Sequence, residues 1–171
     1  MSTGFVAETE FEKKRGVSRV EVRHGFAQVH VSRIPVNVMG ERLKVLAAVA
    51  AVGISIDFLK LTPSGMSFVV PEPVADKLAG AIEPLGIHFS VRHDRSIVLV
   101  HAVSIRDGEG MIAGIVNTAI TNGIRIDHVG DMHDRMLMVV QKEDGERLAS
   151  LIAVTAAARE AQPETEASDA N

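Results

Sequence analysis

The chain has 171 residues, 46% hydrophobic and 23% charged, with a formal net charge of −4. That length can bury a real core, as one large domain or two small ones. An acidic balance without a basic stripe argues against nucleic acid as a partner, and the absence of cysteine excludes disulfides and thiolate metal sites.

The opening MSTGFVAETEFEKKR has no apolar core of signal-peptide length, and no apolar run approaches 18 residues. The reading is a cytoplasmic protein without a membrane partner, its residues 1–16 flexible. VSRVEVRH (17–24) is a candidate strand, and Arg23, His24 and Gly25 read as the turn that follows it. In FAQVHVSRI (26–34), Ala27, Val29 and Val31 alternate with Gln28, His30 and Ser32, which predicts a strand with one wet face. The loop IPVNVMGE (34–41) leads into ERLKVLAAVAAV (41–52), rich in helix formers and stopped by Gly53. Its VLAAVAAV is apolar on every side, so a second surface besides its own sheet is expected to cover it, within the chain or in a homodimer. ISIDFLK (54–60) alternates again, PSG (63–65) is turn chemistry, and MSFVV (66–70) is a strand. Pro71 and Pro73 sit where the helix VADKLAGAIEPL can begin, Gly86 ends it, and IHFSVRH (87–93) is a further strand.

The pattern then restarts: strand 97–104, helix 111–122, strands 124–129 and 135–140, helix 145–158. GISID (53–57) returns as GIRID (123–127), MSFVV as MLMVV (136–140) and ADKLAGAI (75–82) as GERLASLI (145–152), each seventy positions on. A fixed period without gaps means one unit built twice. The order βαββαβ is the ferredoxin-like plan, so the expected class is α+β. The second copy lacks a sixth strand, because the chain runs into the polar REAQPETEASDAN (159–171), which is expected to be a disordered acidic tail. The economical arrangement lets 17–24 supply that strand. The first unit would be 26–93 and the second 17–24 plus 96–158; the alternative is a simple hairpin of 17–24 with 26–34.

Two tandem units, a leading strand and the phrase G-I-x-I-D after each first helix resemble the ACT-domain pair of aspartate kinases, closest to their small regulatory subunit. The resemblance covers roughly residues 17–155. It implies allosteric binding of a small amino acid, lysine or threonine first, held where two ACT units pack side by side. The family's strand-to-helix loop usually reads Asp-x-Pro-Gly. Here Gly40 and Gly110 keep the glycine, neither loop has the proline, and Phe58 to Thr62 replace the polar residues that usually follow the second strand.

The candidate ligand residues are Asn37, Val38, Met39, Gly40 and Glu41 in one loop, and Asp107, Gly110 and Met111 in the other, with Asp57 and Asp127. Free N–H groups at a helix N-terminus favour a carboxylate, a glycine allows close approach, and an aspartate at a strand end could receive an α-ammonium. Gly40 could equally serve only a tight turn, and around Gly110 the negative charge of Asp107 and Glu109 argues against an anion. The histidines read as satisfied surface groups, and GDMHD (130–134) as a solvated hairpin turn. No HExxH, GxxxxGK[ST] or GxSxG is present, and no cofactor or metal is expected. The expectation is a non-catalytic amino-acid-binding regulatory module, with a catalytic subunit, if any, on another chain. The alternative is an ACT-fold interaction protein that has lost its ligand.

Overall fold

The computed structural model describes residues 16–34, 36–103, 110–131 and 134–160. Asp107, His133 and residues 1–15 and 161–171 lie outside them. Gly16, expected in the flexible start, opens a strand, and Arg159 and Glu160, expected in the tail, end a helix. The elements are β1 (Gly16–Val31), α1 (Val38–Ala51), β2 (Phe58–Thr62), β3 (Gly65–Pro71), α2 (Ala75–Ile82), β4 (Phe89–Val103), α3 (Met111–Thr121), β5 (Ile126–Asp131), β6 (Arg135–Gln141) and α4 (Gly145–Glu160). They form one six-stranded sheet in the order β2-β3-β1-β4-β6-β5. Among the described residues no helix is long and apolar enough to cross a membrane.

The fold is the expected α+β pair of βαββαβ units. The N-terminal strand completes the second unit: Arg19 to Arg23 pair antiparallel with His101 to Ile97. The expected turn at Arg23–Gly25 is absent, however. Strand 17–24 runs on into 26–31 as one strand, and 89–93 runs on into 97–103 in the same way. Gly25 has φ 81 and Asp94 φ 53, and the β1–β4 register shifts around Phe26. A left-handed residue at a bulge kinks a strand without ending its pairing, and only glycine adopts that conformation freely.

Both crossings follow the same tripeptide, Val-Arg-His, at 22–24 and 91–93. Each of the two long strands is therefore the last strand of one unit and the first of the other. The two units are related by a pseudo-twofold axis that exchanges β1 with β4, β3 with β6 and β2 with β5.

Three cores hold this arrangement. Val29, Val31, Phe68 and Val70 bury against Val45, Val49, Leu78 and Ile82 of α1 and α2. Val98, Val100, Met136 and Met138 bury against Ile115, Ala119, Leu148 and Ile152 of α3 and α4. The third core lies on the helix-free faces: Val69 of the first unit packs with Ile97, Leu99, Leu137 and Val139 of the second, joined by Phe26 and Phe58. Five strand spacings of about 4.8 Å would separate β2 from β5 in a flat sheet. Instead the rings of Phe58 on β2 and His128 on β5 lie 4.1 Å apart. The sheet folds back on itself along β1 and β4, helices outside, and each aliphatic side chain buried in the seam contributes roughly 1.5–3 kcal/mol.

That packing overturns the expectation of a wet face. Gln28 and Ser67 are 4% and 5% exposed, and Gln28 Nε2 donates to Ser67 Oγ at 3.0 Å. Alternation marks two faces but does not say that the polar one stays in water.

The β2–β3 hairpin needs glycine at its closing position. A Cβ on Gly65 would lie 2.2 Å from the carbonyl oxygen of Val31, whereas one on Gly80, inside α2, would meet nothing. Gly65→Ala is expected to cost about 1–3 kcal/mol, and Gly80→Ala to stabilise by about 0.5–1 kcal/mol. Paired urea titrations measure both, and equal effects would contradict the geometry.

Candidate functional site

Helix α1 begins at Val38, three residues before the predicted start, with Asn37 as N-cap in the left-handed region (φ 47) and no side-chain cap bond. Glu41 N–H is the first to find a helical acceptor, the Asn37 carbonyl, at 3.0 Å. Val38 and Gly40 are partly covered, Met39 is exposed, and Glu41 pairs with Lys44 at 2.7 Å. Arg42 ties this end to the hairpin, donating to the Gly65 carbonyl at 3.1 Å and to that of Thr62. The space above Gly40 is not empty, because the side chain of Asn37 lies where a Cβ would point.

The second helix start is similar. Gly110 is the left-handed N-cap of α3 (φ 67), and Met111 packs partly against the second core.

The two aspartates of the repeated pentapeptide have separate fates. The Asp127 side chain is 1% exposed and sits among three guanidinium groups: Arg92 Nη1 at 2.6 Å, Arg95 Nε at 2.7 Å and Arg125 Nε at 3.2 Å. The Arg95 N–H does not point along that short line, so this contact is an ion pair rather than a hydrogen bond. A buried carboxylate needs such company. Asp57 is exposed, its backbone N–H donating to the Val69 carbonyl at 3.0 Å, and its carboxylate has no partner among the described residues. The pseudo-twofold would bring Arg23 to Asp57 as it brings Arg92 to Asp127, but Arg23 Nε binds Glu21 at 2.7 Å instead.

The sequence candidates thus do not form one site. Arg42 ties the α1 N-terminus to the far end of β2, while Asp57 precedes β2 just after the α1 C-terminus. The 14 residues of α1 put roughly 20 Å between the two.

His24 and His93 are the expected satisfied surface histidines. His24 Nδ1 lies 2.7 Å from Ser96 Oγ and its Nε2 3.0 Å from Glu146. The equivalent His93 lies 2.5 Å from Glu72. Each closes the last strand of its unit onto the start of the second helix, and the repeated Val-Arg-His was the signal for this pair. His128 is 7% exposed, contrary to expectation, and its Nε2 is buried without a hydrogen-bond partner. Among the described residues no three histidine or carboxylate side chains gather as metal ligands.

Burial, and behind it the charge of Lys60, lowers the pKa of His128 from 6.5 to about 4. The unfolded chain binds more protons between those values, so this residue's contribution to stability is whole above pH 6.5 and is lost as pH falls toward 4. Denaturant unfolding at pH 7 and 4.5 should show wild type losing roughly 2–3 kcal/mol more than His128→Phe. Equal losses would mean the imidazole is not buried in the seam.

A six-stranded sheet formed by two interlocked βαββαβ units, with all four helices outside, is the paired ACT-type fold. It recurs in the ligand-free regulatory subunit of aspartate kinase from Thermus thermophilus, with a TM-score of 0.74 at 22% identity over 82% of this chain and 97% of that one. The Thermus flavus regulatory subunit gives 0.75 at 21%, over 82% and 98%. E. coli aspartokinase III, solved with lysine and aspartate, gives 0.67 at 13%, over 85% of this chain and 34% of that one. No family model matches the chain, and no curated protein matches it in sequence.

Proposed function

We propose that the protein is a non-catalytic, cytoplasmic regulatory module that binds a small amino acid and controls a separate catalytic subunit, an aspartate kinase or a related amino-acid biosynthetic enzyme. The observation that carries this reading is the asymmetry of two equivalent aspartates in a fold shared with regulatory subunits. Asp127 is closed off by arginines, and Asp57 is open and unpartnered among the described residues.

A ligand that touches both Asp57 and an α1 N-terminus has to lie between two copies. The surface supports such a pairing. Met39 and Leu43 of α1 and Leu59 and Leu61 of β2 are 62%, 62%, 42% and 51% exposed. The β2 register is regular, whereas β5 is bulged between Ile126 and His128. A regular, apolar free edge invites strand addition, and a bulged one resists it. Antiparallel pairing of β2 with its copy sets the Asp57 end of one chain beside the Asn37 end of the other. The ammonium then meets Asp57, and the carboxylate meets the free N–H groups of α1.

Ligand at a hundred times its dissociation constant stabilises by about 2.7 kcal/mol, and each kcal/mol moves the melting point by roughly 2–4 °C at this size. One amino acid, lysine and threonine first, should raise the melting point by several degrees, and Asp57→Asn should remove the shift. Leu61→Lys should convert a dimer into a monomer by light scattering and remove it too. The Asn37 side chain above Gly40 favours a second reading, an assembly module without ligand, which twenty unshifted melts would select.

A further inference from the structure

Beside the β5 edge, between the C-terminal half of α3 and β5, lies an open cleft of about 520 Å³, closed on one side by Lys60 of β2. The volume is within the range of roughly 300–1,000 Å³ typical of ligand pockets. Its apolar wall is Val116, Ile120, Ile126 and Val129, and its charged rim is Lys60 and Arg125. Ile120 is 65% exposed, a large aliphatic surface left in water at the cleft wall.

The charge here runs against that of the whole protein. Arg92, Arg95 and Arg125 surround one carboxylate, Asp127, and Lys60 adds a further cation to the same lining, in a chain of net charge −4. Lys60 has no ion-pair or hydrogen-bond partner among the described residues, and the Arg125 side chain is 69% exposed despite its contact with Asp127. The end of α3 is the negative pole of a helix dipole, but four of the carbonyls there are engaged. Those of Ala119 and Ile120 accept backbone N–H groups, that of Thr118 accepts Asn122 Nδ2, and that of Asn122 accepts Arg147 Nη2. His128, also in the lining, has its Nε2 buried with no hydrogen-bond partner.

We propose that this cleft is a second ligand site, which takes an aliphatic carboxylate without an ammonium group. The chain of the ligand lies along Val116, Ile120, Ile126 and Val129, and its carboxylate bridges Lys60 and Arg125. A zwitterionic amino acid is disfavoured, because the only carboxylate in the lining is already held by three guanidinium groups and the surplus cations repel an ammonium. The site is independent of the one proposed between two copies, since it uses neither Asp57 nor the α1 N-terminus.

The probes are 4-methylpentanoate and leucine, which share a carbon skeleton and differ by the ammonium group. Titrations followed by the methyl resonances of Ile120 and Ile126 and the ring resonances of His128 report on the cleft directly. The expected result is that 4-methylpentanoate shifts these signals and binds at least about tenfold more tightly than leucine. Lys60→Gln, at an exposed position, should weaken it about tenfold while the melting temperature stays unchanged. Arg125→Gln should weaken it about tenfold too, with a lower melting temperature because Asp127 loses one of its three guanidinium partners. The proposal is overturned if leucine binds equally well, if the two variants bind like wild type, or if the perturbed resonances lie elsewhere. Asp57→Asn should leave this titration unchanged, which separates it from the amino-acid site.

Discussion

Everything in this molecule depends on the antiparallel pairing of β1 with β4 along nearly their whole lengths, from Gly16 opposite Val103 to Val31 opposite Phe89. Each strand is the outer strand of one unit and the inner strand of the other. Neither unit can be lifted away without stripping hydrogen bonds from both, because a half-strand removed leaves an open edge of unpaired backbone groups. The pairing also fixes where the helix-free faces go. Once both strands kink at Gly25 and Asp94, the two half-sheets turn toward each other, and Val69, Phe58, Ile97 and Val139 have only one another to pack against.

The seam made in this way is rich in polar compromise. Four buried side-chain atoms lack a hydrogen bond among the described residues: Gln28 Oε1, Arg95 Nε, Asp127 Oδ2 and His128 Nε2. All four belong to residues at or beside this seam rather than to the two helix-covered cores. Arg95 Nε and Asp127 Oδ2 still form a 2.7 Å ion pair, whereas Gln28 Oε1 and His128 Nε2 carry a desolvation cost that a better pairing would relieve. The helix-covered cores are apolar and closed, so a change in the relative placement of the two units would act first on the seam. A fold shared with regulatory subunits thus has its least satisfied contacts where its two halves meet, which is where a bistable element is useful.

Much of this was legible in the sequence. The seventy-residue repeat, the alternation in Ala27, Val29 and Val31 and the missing sixth strand together favour the interlocked pair over a simple hairpin, because periodicity reports directly which side chains share a face. The seam was not legible. Gln28, Ser67 and His128 are polar in alternating strands, and their burial is decided by contacts with residues of the other unit. The turn expected at Arg23–Gly25 failed for a local reason: glycine serves a bulge as readily as a turn. The recurrence of Val-Arg-His before Gly25 and before Asp94 would have shown that both places are strand crossings. As for the site, the helix termini could be read, but Asp57 and Asp127 stand in near-identical pentapeptides. What separates them is Glu21 on β1, which takes Arg23, and Arg95 on β4, which joins Arg92 at Asp127.

That separation shows how a duplicated unit gives one position two environments within one plan. In the second copy the aspartate neutralises guanidinium groups across the seam, so it must be buried, and its strand is bulged and cationic at the edge. In the first copy the same position has no guanidinium to hold, so it stays at the surface, beside a regular strand with Leu59 and Leu61 in water. One copy is thereby committed to internal cohesion, and the other keeps an open carboxylate beside a regular free strand edge. If Arg23 were released from Glu21, as in Glu21→Gln, its guanidinium could turn toward the Asp57 side of the pseudo-twofold. The open carboxylate would then be drawn into the seam, and the first unit would lose the group that distinguishes it from the second.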